Sequence, residues 1–299
     1  MRIVRFAVIA SVASHLPFAN ASGGAGNPWA DKVVSYVPGS TANPSYADAN
    51  VALGGPERFT GESQYPSVVS MFGPPYETNE IVSIGEGGSL TIEFDEPITN
   101  DPSHLFGVDV IVFGYGGFID ANYPTGQIGV SAALFGTGVI QISVSEDGNN
   151  FVLLPGAFNA GFFPTQGYLD SGPYDSAPGH VLSDFTRPVN PALTRAQFAG
   201  LTYQQALALY GGSGGGTPID IAASGLGAVR YVRIEVRDDG NPFTTGNAEI
   251  DALSTVPEPS SSLLFGGAAF ACAFRRKKQA VQSGRPARVV GAPSGRIAG

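Results

Sequence analysis

A Gly-x-Ser-x-Gly pattern at Gly211, Ser213 and Gly215 is the first place where side chains of this sequence could do chemistry. In many hydrolases such a pattern holds a nucleophilic serine on a turn between a strand and a helix, and the partner histidine comes later in the chain. Here the preceding residues have helical periodicity, and no histidine follows His180. The run also lacks the lysine of a phosphate-binding loop. We therefore interpret residues 211–217 as a linker from a helix to a strand.

The histidines and the cysteine do not form a metal site in this sequence. His15 lies in the N-terminal segment, and His104 and His180 are far apart with no second histidine near either one. Cys272, the single cysteine, lies in a C-terminal apolar run, which also excludes a disulfide framework. Because zinc needs several histidine or cysteine ligands, we expect no zinc site and assign His104 and His180 to turns or the surface.

Carboxylates could do acid–base chemistry if two of them faced each other across a cleft. Glu93, Asp95 and Glu96 are close in sequence, and strand alternation puts Glu93 and Asp95 on one face, which we expect to meet solvent. The run Asp-Asp-Gly-Asn at residues 238–241 could bind a cation, but it is also typical of a hairpin connection. A hydrolase that acts on exopolysaccharide is therefore kept as the alternative function.

Two long segments without strand periodicity, residues 114–137 and 155–194, are rich in aromatic residues. Aromatic rings can stack on the apolar faces of sugars, and they can equally pack long loops against a domain. If they bind polysaccharide, we expect the ligand-binding residues to be Tyr115, Phe118, Tyr123, Phe163 and Tyr168.

The composition favours many short strands joined by turns. The chain has 41 glycines and 23 prolines, and 14% of its residues are charged. The net charge is -9, but both ends of the chain are basic. The region between them has seven basic residues and roughly 24 acidic ones. Such a surface repels phosphate backbones, so we expect no nucleic-acid partner.

The N-terminal 21 residues have the three parts of a secretory signal peptide. Arg2 and Arg5 come first, residues 6–13 are apolar, and Ala19 and Ala21 supply a small-x-small cleavage site for signal peptidase. We predict export, and a buried N-terminal strand is the alternative.

The C-terminal end also has three parts, which are a Pro-Glu-Pro triplet, an apolar run at residues 263–274 and a basic cluster. The motif residues are Val256, Pro257, Glu258, Pro259, Arg275, Arg276, Lys277 and Lys278. This order over residues 256–278 resembles the PEP-CTERM sorting segment. The apolar run is marginal as a membrane span, and we expect a short apolar helix whose cytoplasmic end is set by the basic cluster.

The resemblance implies processing by an exosortase, a membrane enzyme similar to cysteine proteases that cleaves near the motif. It also implies a Gram-negative bacterium that makes exopolysaccharide. Family members usually stop at the basic cluster, whereas here residues 279–299 follow, and we predict that this Gly-, Pro- and Arg-rich tail is disordered. An ordinary C-terminal membrane helix that is never processed is the alternative.

The middle of the chain alternates short apolar runs with turn residues, which predicts antiparallel strands. In the last run we expect Val229, Tyr231 and Ile234 to point inward. Asp147 and Gly148 predict a hairpin turn. One helix is predicted at residues 203–210, capped by Thr202 and ended by Gly211. The clearest predicted strands are residues 89–94, 108–113, 139–144 and 229–236.

Four stretches, at residues 46–56, 82–94, 229–234 and 248–252, resemble bacterial surface domains of the galactose-binding-like, jelly-roll type. That resemblance implies a structural calcium between an early Asp/Asn loop and a glutamate on the last strand, for which acidic oxygens are suitable ligands. The implied ligands are Asp48, Asn50 and Glu249, with Glu57 or Asp251 as weaker candidates. A solvated acidic turn is the alternative.

These observations predict an all-β jelly-roll sandwich at residues 22–255, with one short helix and long loops. A signal peptide at 1–21 precedes it, and a sorting segment at 256–278 and the tail at 279–299 follow. The predicted function is that of a non-catalytic exported surface or matrix protein that binds polysaccharide. A hydrolase and a purely structural surface component are the alternatives.

Overall fold

The computed structural model describes residues 26–237 and 246–258 of the chain. The predicted features outside these residues are the signal peptide with Ala19 and Ala21, the acidic run at 238–241, the sorting segment from Pro259 onward with Arg275, Arg276, Lys277 and Lys278 and its apolar helix, and the tail at 279–299. Within the two described ranges, no helix has the length and apolarity needed to cross a membrane.

The described residues form mostly short strands and two small α-helices. The strands are β1 (Lys32–Val37), β2 (Phe59–Thr60), β3 (Ser67–Val68), β4 (Val82–Gly85), β5 (Ser89–Thr99), β6 (Val110–Gly114), β7 (Gly117–Phe118), β8 (Leu134–Phe135), β9 (Val139–Ser145), β10 (Val152–Leu153), β11 (Phe158–Asn159), β12 (Thr217–Ile219), β13 (Ala228–Glu235) and β14 (Asn247–Thr255). The helices are α1 (Arg195–Phe198) and α2 (Tyr203–Tyr210).

Two antiparallel sheets form the body of the domain. The first has the order β1-β5-β13-β9-β10, with β11 also paired to β9, and the second has the order β12-β6-β14-β4. Buried side chains of both sheets, such as Ile92 of β5 and Ile250 of β14, belong to one hydrophobic core. The all-β sandwich prediction is confirmed, and two small ribbons, β2–β3 and β7–β8, lie outside the main sheets.

Strand β13 shows where simple alternation fails. A register shift in its pairing with β5, between Val229 and Tyr231, changes the faces of the residues that follow. Val229, Val232 and Ile234 are buried, whereas Tyr231 is only half-buried and donates its hydroxyl to Glu93 at 3.0 Å. The prediction that Tyr231 points inward is therefore wrong, because the bulge moves the inward position to Val232.

The predicted hairpin is present between β9 and β10. The Asp147 carboxylate accepts backbone hydrogen bonds from Asn149 and Asn150 at 2.9 and 2.8 Å, and Gly148 takes a φ of 73°, where a side chain would be strained. This local turn chemistry explains why the hairpin could be predicted from the sequence.

Helix α2 has its predicted ends. Thr202 and Gln205 form a capping box at its start, and Gly211 closes it in the left-handed conformation with a φ of 59°. Helix α1 precedes it with a capping box from Thr194 to Gln197. The prediction of a single helix was therefore incomplete for the described part of the chain.

Candidate functional site

The two long aromatic segments pack against each other around helices α1 and α2. We call this second hydrophobic core the loop cluster. Its buried members are Met71, Phe72, Phe118, Ile128, Ala132, Phe163, Val189, Phe198, Tyr203, Ala206, Leu207 and Tyr210. Phe198 lies between several rings, with centroid distances of 5.4 Å to Phe118 and 6.1 Å to Phe163. Packing within the cluster orders these loops, which form no long strand ladders.

The predicted ligand-binding residues differ in how far their side chains are exposed to solvent. Phe118 is 1% exposed, Phe163 2% and Tyr168 8%, so these rings are covered by the protein itself. Their placement corrects the ligand-binding expectation in favour of loop packing. Tyr115 is half-buried and stands edge-on to Phe135 at 5.8 Å. Tyr123 is the member of the predicted set that presents its ring to solvent, with 74% exposure.

Tyr123 does not stand alone on the surface. Its ring meets that of Tyr174 at 5.0 Å and an interplanar angle of 62°. The Tyr174 hydroxyl donates to Oδ2 of Asp120 at 3.1 Å. We call these three residues the tyrosine edge. Asp120 and Tyr174 are 54 positions apart in sequence, and the folding of the two loops brings them together.

Asp120 is the residue that fixes the geometry of the tyrosine edge. Its carboxylate accepts backbone hydrogen bonds from Asn122, Gly126 and Gln127, each at 2.9 Å. Burial acts to raise the pKa of Asp120, but these bonds outweigh it and hold the pKa below its ordinary value. The group is therefore a permanent anion at neutral pH. Burial and then the charge of Asp120 raise the pKa of Tyr174.

Sequence reasoning did not assign Asp120 or Tyr174 to the site. The Asp-Ala-Asn order at residues 120–122 is typical of a turn in which a carboxylate bonds to the backbone two residues on, and this signal could have found Asp120. No local pattern pairs Tyr174 with Tyr123.

The loop that carries Tyr174 also forms a pocket of about 480 Å³. Asp170 is held there by backbone hydrogen bonds from His180 and Val181, at 2.9 to 3.0 Å, which lower its pKa. Asp175 accepts from the Gly172 backbone at 2.6 Å. The pocket is lined by Asp170, Ser171, Asp175, Ser176, Ala177, Pro178, Gly179 and His180. Its acidic groups lie on the same loop as Tyr174 of the tyrosine edge.

The residues implied as calcium ligands each have partners within the protein. Asp48 and Asn50 are exposed, and the Asp48 carboxylate caps its own turn by accepting from Asn50 at 3.0 Å. Glu249 is half-buried and accepts from Asn247 at 2.7 Å and from Ser83 at 3.4 Å. In the part of the chain that the structure describes, no group of three or more His, Cys, Asp or Glu side chains is arranged to hold a metal. Calcium at these residues stays a prediction.

The two weaker calcium candidates are in contact with each other. The Glu57 amide donates to both carboxylate oxygens of buried Asp251 at 3.3 Å. Burial, followed by the charges of Glu80 and Glu62, raises the pKa of Glu57 to about 7. Burial and then Glu57 raise the pKa of Asp251. The structure therefore places these two acids where burial and neighbouring negative charges disfavour their ionisation.

The other candidates for chemistry also have structural partners. The hydroxyl of buried Ser213 donates to the Arg187 carbonyl at 2.6 Å, which supports the linker interpretation of residues 211–217. Glu93 bonds to Lys32 at 3.3 Å. His104 is buried, and its Nδ1 lies 2.7 Å from Oδ1 of Asp109. The surface alternative for His104 is therefore wrong, because this side chain is paired inside the domain.

The described part of the chain ends within the predicted sorting segment. Val256 is 5% exposed and its amide donates to the Asp109 carbonyl at 3.0 Å, whereas Pro257 and Glu258 are exposed. Residues 255–278 match the family model of the PEP-CTERM protein-sorting motif. The chain therefore carries a PEP-CTERM segment that begins at the last residue of strand β14.

A PEP-CTERM segment marks an exported protein that is processed by an exosortase and sorted to the cell envelope or surface. The motif covers 24 of the 299 residues, so it informs the sorting of the protein and not the chemistry of the sandwich. None of the curated proteins matches the chain.

A solved structure with some likeness to this chain is that of a pectin binding carbohydrate binding module, determined in a monoclinic crystal form. The two chains are 10% identical, the match covers 60% of this chain and 73% of the module, and the TM-score is 0.22. At that TM-score the likeness carries no information about a ligand.

Proposed function

We propose that this protein is a non-catalytic surface module that binds polysaccharide through the tyrosine edge. The observation that carries the proposal is a large ring, Tyr123, which is 74% exposed and yet packed edge-to-face on Tyr174. An exposed ring that is held in place by a second ring offers a flat apolar face to a binding partner. A sugar ring supplies such a partner, because its C–H face is apolar and its rim hydroxyls need hydrogen bonds.

The charge of the site supports an uncharged polymer as the ligand. Asp120, in the tyrosine edge, and Asp170, in the pocket on the loop that carries Tyr174, both have lowered pKa values and stay ionised at neutral pH. A polymer of uronic acids would bring further negative charge to these carboxylates, which is unfavourable. Sugar hydroxyls, in contrast, can donate to a carboxylate. The proposed ligand is therefore a neutral exopolysaccharide of the envelope or matrix of a Gram-negative cell.

The test is affinity electrophoresis of the exported protein in gels that contain either neutral or uronic acid polysaccharides. We expect retardation by a neutral polymer only, and no release of reducing sugar. Tyr123→Ala should weaken binding by about 2- to 10-fold, because an aromatic contact contributes about 0.5–1.5 kcal/mol. Tyr174→Phe should weaken it less, since the ring remains and only the bond to Asp120 is lost.

Phe106→Ala is the matched control, because Phe106 is an exposed aromatic residue (49%) outside the tyrosine edge. It should leave retardation unchanged. An equal loss of retardation in Phe106→Ala and Tyr123→Ala would contradict a specific binding site. Release of sugar from the polymer would show that the protein is a hydrolase instead.

A further inference from the structure

Strand β14 of the sandwich is hydrogen-bonded up to its final residue. The Thr255 amide donates to the Pro28 carbonyl at 2.8 Å, and the Val256 amide donates to the Asp109 carbonyl at 3.0 Å. Leu253 and Ser254 are fully buried. We call residues 253–256 the C-terminal latch. Because its backbone donors are already bonded, these residues cannot pair with another protein while the latch is closed.

Side chains reinforce the C-terminal latch. The Ser254 hydroxyl donates to the Phe185 carbonyl at 2.8 Å. Val256 belongs to a small buried cluster that includes Phe185, and Trp29 packs against that cluster. Trp29 also forms an isolated bridge with Ser254. Release of the latch therefore exposes apolar surface and breaks several hydrogen bonds.

The latch overlaps the PEP-CTERM segment. The motif match begins at Thr255, so its first two residues lie inside the fold. Between Val256 and the apolar run that starts at Leu263 there are six residues, Pro257–Ser262. Fully extended, six residues span at most about 20 Å. When the apolar run lies in a bilayer, a membrane enzyme that binds the triplet at residues 257–259 must therefore work within that distance of the closed domain.

We propose that the C-terminal latch must open before the sorting enzyme can bind this segment, so closure of the folded domain limits its processing. The motif match includes Thr255 and Val256, whose backbone amides are bonded inside the closed domain, so an enzyme that reads the whole motif needs these residues released. When opening and closing are fast, cleavage follows the population of the open form. This inference is independent of polysaccharide binding.

The test follows processing of the full chain in a host that processes the wild-type protein, with mass spectrometry of the C-terminus over time. Trp29→Ala weakens the latch and leaves residues 255–278 unchanged. It should raise the rate of processing at least about threefold, since loss of an aromatic contact changes an equilibrium by this order. Ser254→Ala, which removes one hydrogen bond, should raise it by about twofold or more.

Phe198→Ala is the matched control, because it removes a buried ring from the loop cluster and does not touch the latch. Amide exchange of Thr255 and Val256 in the purified full-length protein reports latch opening directly. Faster exchange together with faster processing in the two latch variants, and neither in Phe198→Ala, supports the proposal. Faster exchange without faster processing overturns it, and so does equal acceleration by Phe198→Ala.

Discussion

The sandwich and the loop cluster are built from different residues. Among the residues that the structure describes, the core of the sandwich contains 25 buried residues, and Phe94 is its one aromatic member. By the same measure, the loop cluster contains twelve buried residues, of which six are aromatic. In the sandwich, strand ladders already order the backbone, so β-branched side chains are sufficient to fill the space. Loops lack such ladders, and each ordered residue must contribute more apolar area.

The largest expected effect is a selective loss of the loop cluster. Phe198→Ala should destabilise that region by about 3–5 kcal/mol, the usual cost of truncating a buried phenylalanine. Near-ultraviolet circular dichroism should show early melting of the aromatic signal. The fluorescence of Trp29, the single tryptophan, should report a later transition of the sandwich. A single shared transition in this variant would contradict the division into two regions.

Acid should change the stability of the two regions in opposite directions. The pKa of Glu57 is raised from 4.5 to about 7, so the sandwich should gain stability as pH falls from 7 to 4.5, because the folded state binds protons that the unfolded state does not. Asp120 has a lowered pKa, and its stabilisation of the loop cluster is present above its ordinary value of 3.8 and lost as pH falls below it.

Urea unfolding between pH 4.5 and 7.5, followed by Trp29 fluorescence, measures the first effect. Glu57→Gln should flatten the profile and stabilise the protein at pH 7.5 by about 1–2 kcal/mol, a value reduced for solvent screening of a half-exposed group. Stability that is independent of pH in the wild-type protein would remove the claim that the folded sandwich disfavours ionisation of Glu57.

Calcium should have the smallest effect, and it should be confined to the sandwich. If Asp48, Asn50 and Glu249 hold the ion with the affinity usual for extracellular modules, 1 mM calcium adds about 0.4–1.4 kcal/mol to the free energy of unfolding. The Trp29 transition should shift, and Glu249→Gln should abolish the shift. A melting temperature that is the same in excess calcium and in excess chelator would rule out calcium binding at these residues.

The sequence predicted those features that depend on neighbouring residues. Strand β5 follows from the alternation at Leu90, Ile92 and Phe94, and helix α2 follows from its capping residues. The position of Tyr231 could not be predicted, since the bulge in β13 arises from pairing with β5. Within the candidate site, Tyr123 was predicted but its support by Tyr174 was not, because that contact joins two loops distant in sequence.

Strands β6 and β14 are antiparallel neighbours. Val110, at the start of β6, pairs with Thr255, and Gly114, at its end, pairs with Ile250. The segment that leads to Tyr123 therefore departs from the end of the sheet opposite to the end where the sorting segment begins. If the domain is held at the envelope through its C-terminal segment, the root of this loop therefore lies at the end of the sheet farther from the membrane.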